Sequence, residues 1–245
     1  METIIIIPAR MASSRFPGKP LARINGLPMI QRVWQQAMFS EIGDVYVACS
    51  EKEVYDLIQS LGGKAILTDP NLPSGTDRVF SAFQKINNKK KIDNIINLQG
   101  DMPLIKPQQI SKVLEPLKYN YSIATLATDL TNDQINNKNI TKVEVEWLKE
   151  NIGIAKDFFR QKENKVKLTY HHVGIYSYNI DALEKFVNTP KSKNEISLNL
   201  EQFRALDSNI SIGITYVPEI PISIDTKEDL TNAENIIRES NEKNK

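Results

Sequence analysis

The sequence predicts an α/β fold, a mainly parallel sheet with helices on both faces, and three observations carry the prediction. Four consecutive isoleucines, Ile4 to Ile7, make a short apolar run of β-branched residues, the pattern of a strand covered on both faces. Apolar runs then alternate with segments of helical period, which implies right-handed crossovers between parallel strands. A chain of 245 residues is long enough for one large domain, or for one domain with a subdomain inserted.

The elements follow in order. Pro8 cannot donate to a ladder, so the first strand is expected to stop there. In 28–39, Met29, Ile30, Val33, Trp34, Ala37 and Met38 recur at helical spacing and are expected in the core. "DVYVACS" reads as a second strand, "EKEVYDLIQSLGG" as a helix stopped at Gly62, and "KAILT" as a third strand. Over 72–86, Ser74 or Thr76 can cap a helix whose apolar face is Val79, Phe80 and Phe83. Ile95 to Leu98 form a fourth strand, with Gln99, Gly100 and Asp101 at its carboxyl end. Residues 107–119 are expected as one helix and "YSIATLATDL" as a strand. From about 129 to 192 the chain turns strand-rich and polar, with "KVEVEWL" alternating at period two. Residues 198–206 read as a helix. At the end, the apolar "ISI" runs into Asp225, and Thr226 caps a helix with Glu228 and Asp229 in its first turn.

Composition excludes several classes of function. A net charge of +1 provides no field that recruits nucleic acid or an anionic membrane. No apolar run approaches the roughly 20 residues that span a bilayer, and no signal-peptide pattern precedes the first strand. A single cysteine, Cys49, rules out an internal disulfide and fits a reducing cytoplasm; it is expected as a buried core thiol. The Lys- and Asn-rich stretches 87–91 and 132–139 read as solvated loops, and "NEKNK" as a frayed end.

The chemistry-bearing residues cluster after strands. Arg10, Arg15 and Lys19 fall within ten residues, among Ala9, Ala12, Ser13, Ser14 and Gly18, which allow close backbone approach. Such a loop suits a polyphosphate, although a solvated basic loop has the same composition. It is neither a G-x-x-x-x-G-K-[ST] loop nor a G-x-G-x-x-G fingerprint, which argues against a dinucleotide-dependent oxidoreductase. Asp101 stands where open α/β sheets bind ligands and could hold Mg²⁺, whereas a lone Asp after a strand is ordinarily a turn residue. Asp225 before a helix reads equally as a cap. His171 and His172 have no Cys or His cluster near them, so zinc is not expected, and a histidine on a strand is usually structural. Glu201, Gln202 and Arg204 could hydrogen-bond a polyhydroxylated acid. A helix bearing Leu198, Leu200, Phe203 and Leu206 could equally pair two subunits.

"IIIIPARMASSRFPGKPL" resembles the opening of the sugar-acid cytidylyltransferases, a strand followed by P-A-R-x-x-S-[ST]-R-[LF]-P-G-K-P-L, and further blocks extend the resemblance over almost the whole chain. The resemblance implies a Rossmann-like nucleotidyltransferase fold in a single domain, 1–245, with an inserted sugar-binding and dimerisation subdomain at about 129–209. It implies that Pro8, Ala9, Arg10, Arg15 and Lys19 bind CTP. The segment similar to S-G-T-[DE]-R adds Ser74, Gly75 and Arg78 to the nucleotide set. The segment similar to N-[VL]-Q-G-D-E-P adds Gln99, for CTP and sugar alike, and Asp101 as a metal ligand, with Met102 replacing the usual Glu. Arg160 takes the arginine position of G-x-A-x-Y-F-S-R-x-x-I-P, whose arginine reaches the sugar acid. Phe159 replaces the serine there, and the I-P is missing. By the same resemblance His172, Tyr176, Glu201 and Gln202 face the sugar. Asp225, in the block similar to V-D-T-x-E-D-L, is the second metal carboxylate, with Ile222 and Ser223 where a G-x-G usually stands. The catalytic set so implied is Lys19, Asp101 and Asp225, with Mg²⁺ as cofactor. The reaction is transfer of CMP from CTP to 3-deoxy-D-manno-octulosonate (Kdo) in a cytoplasmic homodimer serving lipopolysaccharide biosynthesis. A related acid (8-amino-Kdo or a nonulosonic acid) and a catalytically silent nucleotide-binding homologue are the alternatives.

Overall fold

A computed structural model describes residues 2–12, 15–86, 92–161 and 168–243. The chain divides into two compact units. One comprises Glu2–Lys91, Asn97–Ile110 and Pro221–Lys245, and the other Ile92–Ile96 and Ser111–Ile220.

The first unit opens with β1 (Thr3–Ala9), in which Ile4 to Ile7 are at most 1% exposed. The strand runs through Pro8, which pairs in register with Ala48, so the expected stop at Pro8 is corrected. A proline forfeits one ladder donor, while its carbonyl and its extended backbone stay available. Gly18, in the left-handed region at φ 75°, turns the chain into a short 3₁₀ turn, Lys19–Leu21. The two-residue strands β2 (Arg23–Ile24) and β3 (Leu27–Pro28) then lead into α1 (Met29–Phe39). Met29, Ile30, Val33 and Ala37 are its buried stripe, while Met38 is 47% exposed and leaves the expected core. It follows Ala37 directly, a rotation of roughly 100° around the helix and off the apolar stripe.

β4 (Val45–Cys49) lies parallel to β1, and β5 (Lys64–Leu67) lies parallel to β4. Between them runs α2 (Lys52–Ser60), ended by Gly62 at φ 77°. α3 (Gly75–Lys85) begins at Ser74, whose hydroxyl accepts from the Asp77 N–H, so Ser74 and not Thr76 is the cap. Cys49 is buried as expected, and burial, reinforced by Glu51, pushes its thiol up to about 12, an inert core group.

β6 (Asn94–Asn97) carries the buried Ile95 and Ile96, and α4 (Pro107–Lys112) is short. The single helix expected over 107–119 is broken: a separate 3₁₀ turn, Pro116–Tyr119, follows, because Pro116 supplies no N–H and blocks the turn before it. In the second unit come β7 (Ile123–Thr128), β8 (Lys142–Trp147), β9 (Ile152–Phe159) and β10 (Thr169–Asn179). They are followed by α5 (Ile180–Asn188), α6 (Lys193–Leu198), α7 (Gln202–Leu206) and β11 (Ile212–Tyr216). β11 runs parallel to β7, whereas β10 runs antiparallel to β7 and β8, and β9 antiparallel to β8 and β11. The solvated loop expected over 132–139 is observed as a run of turns with mostly exposed residues.

α8 (Lys227–Lys243) closes the first unit, so the stretch expected to fray is helical through Lys243. The loop expected at 87–91 lies outside the described residues. Among the described residues no helix is long and apolar enough to cross a membrane.

Candidate active site

Apolar burial builds the centre of the first unit. Phe16, Ile24 and Met29 from the segment after β1 pack with Ile224 and Ala233 from the end of the chain, each at most 8% exposed. Fully burying a side chain such as Ile224 contributes about 1.5–3 kcal/mol, so this cluster anchors both segments. The Ile224 N–H donates to the Asp101 carbonyl at 2.9 Å and sets the two aspartate segments side by side. Gly100 lets this segment lie close against the end of β1, since a Cβ there would stand 2.9 Å from the Pro8 carbonyl oxygen.

The result is a cluster of opposite charges. Lys19 Nζ donates to Asp101 Oδ2 at 2.8 Å and to Asp225 Oδ1 at 3.1 Å, and Arg15 Nη2 lies 3.2 Å from Asp225 Oδ2. Two carboxylates and two of the three expected cations are therefore brought together. Arg10 is exposed and makes no side-chain hydrogen bond among the described residues. The Asp225 side is fixed from behind: the N–H groups of Asp225 and Thr226 donate to Asp229 Oδ2 at 2.9 and 2.8 Å, and Thr226 Oγ1 accepts from the Asp229 N–H. Burial pushes the Asp229 carboxyl up, but the Asp225 N–H, the Thr226 hydroxyl and N–H and the nearby Lys19 outweigh it and hold it below the usual range. Asp229 is thus a positioning residue that its place in the first helical turn could have flagged.

Asp101 and Asp225 present hard oxygen donors that already share one cationic group, which fits Mg²⁺, an ion that completes its shell with substrate oxygens and water. Among the described residues no group of three or more His, Cys, Asp or Glu could hold a metal, so the protein offers a pair and no closed cage. Met102 is 5% exposed, so a residue beside the pair belongs to the core.

Pro8, Gly75 and Gln99 also meet. A Cβ on Gly75 would stand in ordinary contact with Pro8 Cγ at 3.5 Å and Gln99 Oε1 at 3.6 Å, so the three residues adjoin. Gln99 Nε2 donates to Asn97 Oδ1 at 2.8 Å and Asn97 Nδ2 to Thr76 Oγ1 at 3.3 Å, a support chain that the apolar reading of this strand passed over. Arg78 is 2% exposed and donates to Thr68 Oγ1, while its Nη2 has no partner among the described residues. Burial draws its pKa down, and Arg10 adds to that while Glu51 opposes it. Ser74 is occupied by its capping bonds with Asp77, and Ala9 is a buried strand residue.

The expected sugar residues lie in the second unit. His172 and Tyr176 are four apart in β10, a span of roughly 13 Å in a regular strand. A bulge between Val173 and Tyr176 closes it, and the two rings stand 5.5 Å apart. Thr125 Oγ1 lies 3.0 Å from His172 Nε2 and 2.9 and 2.7 Å from the Val173 and Ile175 carbonyl oxygens. His172 is buried and its pKa is drawn down to about 3, chiefly by burial, so its ring is neutral. Tyr176, Glu201 and Gln202 line one small recess with Tyr178 and Phe186, and Gln202 Nε2 donates to the Tyr176 hydroxyl at 2.6 Å. Gln202 Oε1 is buried there without a partner among the described residues. Arg160 is not among the lining residues; its Nη1 donates to the Asn139 carbonyl at 3.1 Å. Arg204 is 3% exposed; its Nε and Nη2 bind Glu195 at 2.9 and 2.6 Å and its Nη2 lies 3.7 Å from Glu201 Oε1, so it joins α6 to α7 and stands behind the recess without lining it.

The chain is similar to known proteins over most of its length. A family model described as cytidylyltransferase matches residues 4–212. The chain is 41% identical over 242 residues to the 3-deoxy-manno-octulosonate cytidylyltransferase of Paramagnetospirillum magneticum, covering 97% of this chain and 98% of that one. It is 40% identical to the protein of that name from Parvibaculum lavamentivorans, covering 94% and 90%. Among solved structures, CMP:2-keto-3-deoxy-manno-octonic acid synthetase complexed with CTP superposes with a TM-score of 0.88 at 33% identity, covering 98% of this chain and 100% of that one. UDP-glucose pyrophosphorylase complexed with UDP-glucose, at TM-score 0.73 and 14% identity over 98% of this chain and 100% of that one, shares the fold alone.

Proposed function

The chain belongs to the cytidylyltransferase family, and from that premise we propose that it transfers CMP from CTP to Kdo, releasing pyrophosphate. The relatives named for this reaction match 97% and 94% of this chain. The observation that carries the reading is the Lys19 ammonium spanning Asp101 and Asp225, which joins a phosphate-binding loop to a pair of metal-binding carboxylates.

On this reading Arg10, Arg15 and Lys19 neutralise the triphosphate, and Lys19 stabilises charge building on the departing pyrophosphate. Pro8, Ala9, Gly75 and Gln99 form the surface for the base, with Ser74 and Arg78 beside them. Asp101 and Asp225 would hold Mg²⁺, which when bound supplies Lewis-acid polarisation of the phosphoryl group and favours ionisation of the attacking hydroxyl. His172, Tyr176, Glu201 and Gln202 orient the sugar's hydroxyls, the unpartnered Gln202 Oε1 providing an acceptor for one of them. Arg160 meets the acid's carboxylate. No residue forms a covalent bond; the site works by positioning and charge neutralisation. The segment of about 129–209 acts as the sugar-binding and dimerisation part of a cytoplasmic homodimer that supplies lipopolysaccharide biosynthesis.

Pyrophosphate release from CTP with Mg²⁺, measured across Kdo, 8-amino-Kdo and a nonulosonic acid, tests this. Kdo should give the highest kcat/KM; release with none of the acids would sink the transferase reading, and preference for another acid would reassign the substrate.

A further inference from the structure

Lys142 is a buried cationic side chain of the second unit that the reaction leaves unexplained. It opens β8, is 1% exposed, and faces no carboxylate within ion-pair distance among the described residues. A buried ammonium without a counter-ion is costly unless its donors are used. All three are: Nζ donates to the carbonyls of Asn137 at 2.5 Å, Arg160 at 2.8 Å and Ile140 at 3.3 Å. A methionine would fill this volume without the charge, so the ammonium's specific product is the convergence of those carbonyls.

One of the three belongs to a residue that needs holding. The pairing of β8 with β9 ends at Lys142 opposite Phe159, so Arg160 lies one position beyond the last ladder pair. Its backbone is held by Lys142, and its guanidinium returns to the same turn by donating to the Asn139 carbonyl. On the opposite side Lys142 pairs with His171, whose Nδ1 lies 3.2 Å from Gln134 Oε1. That ring is neutral at physiological pH, its pKa drawn down to about 4 by burial and then by Lys142, so it does not repel the ammonium. The turn over 131–140 is thereby tied to the strand ends at two points.

We propose that Lys142 is a positioning residue: by binding the Arg160 carbonyl to the turn at Asn137–Ile140, it sets where the Arg160 guanidinium stands for the carboxylate of the sugar acid. The proposal rests on the reading of Arg160 as the carboxylate ligand. It gives Lys142 no contact with either substrate.

The test is a double-mutant cycle in the pyrophosphate-release assay with Kdo as the acid. Lys142→Met should raise KM for Kdo about tenfold or more and leave KM for CTP within about twofold, the size of effect expected when a charged contact is misplaced. Arg160→Ala should raise the same KM. The double variant should be no worse than Arg160→Ala alone, because Lys142 acts through Arg160. Lys142→Gln, which keeps two N–H donors, should fall between wild type and Lys142→Met and serves if the methionine variant does not fold. Equal shifts in both KM values, additive effects of the two substitutions, or wild-type KM for Kdo in a folded Lys142 variant would overturn the positioning role. An unchanged KM for Kdo in Arg160→Ala would instead overturn the reading of Arg160, and the positioning role with it.

Discussion

The backbone N–H of Ile224 donates to the carbonyl of Asp101 at 2.9 Å, and this one bond sets Asp225 beside Asp101, close enough for a single ammonium to reach both. The carboxylate pair is thus fixed by backbone and core, and only its charge is left for chemistry.

Asp101→Asn should therefore fold normally and lose turnover by about 10²-fold or more, the scale of losing a preorganised electrostatic group. Pyrophosphate release together with an unshifted thermal midpoint checks this. Near-wild-type turnover would remove Asp101 from the metal role.

Lys19 makes a second prediction, about metal binding without nucleotide. Because its ammonium spans both carboxylates, an entering cation must displace it. Lys19→Met should then bind Mn²⁺ about tenfold more tightly than wild type in the absence of CTP, since each ion pair lost to the competitor contributes on the order of 1 kcal/mol. Electron paramagnetic resonance titration of free Mn²⁺ reads the affinity directly. Equal or weaker binding by the variant would show that Lys19 does not compete.

The buried histidines give a pH dependence with a definite sign. Burial draws His171 down to about 4 and His172 to about 3, so the fold holds neutral rings and the unfolded chain binds the extra protons. Their contribution to stability is complete above the ordinary histidine pKa of about 6.5 and is lost as pH falls toward 4 and then 3. Denaturant midpoints measured between pH 7.5 and 4 should fall, and His171→Gln should flatten the upper part of that slope.

Arg204 and Glu195 form a pair with side chains only 4% and 7% exposed. Glu195→Ala leaves a buried guanidinium without its partner and should cost about 3–5 kcal/mol. Replacing both residues by apolar ones of similar volume should cost far less. Denaturant unfolding of the two variants separates the outcomes, and equal losses would mean that the pair is not coupled.

Much of this was legible in the chain. The apolar run Ile4–Ile7 reads as a buried strand because burial on both faces leaves no alternation, and Met29, Ile30, Val33 and Ala37 read as a helix face from their spacing. Asp101 and Asp225 were recognisable through a resemblance, as was the cationic loop. Lys142 was not: in "KVEVEWL" it occupies one phase of a period-two pattern, and nothing local says that the Arg160 carbonyl will join those of Asn137 and Ile140 around it. The pairing of Arg204 was not legible either, because its partner lies on another helix.

The sequence by itself determined the periods and the turn chemistry, since spacing, caps and prolines act over a few residues of chain. It failed even locally at Pro8, where one missing donor did not end a strand, and at Met38, one step off the buried stripe. Only the tertiary structure decided that Lys19 should bridge Asp101 and Asp225 and that Arg204 should pair with Glu195 on another helix. The reason is physical: such contacts arise from burial of segments far apart in the chain, and no local pattern encodes which ends that burial will bring together.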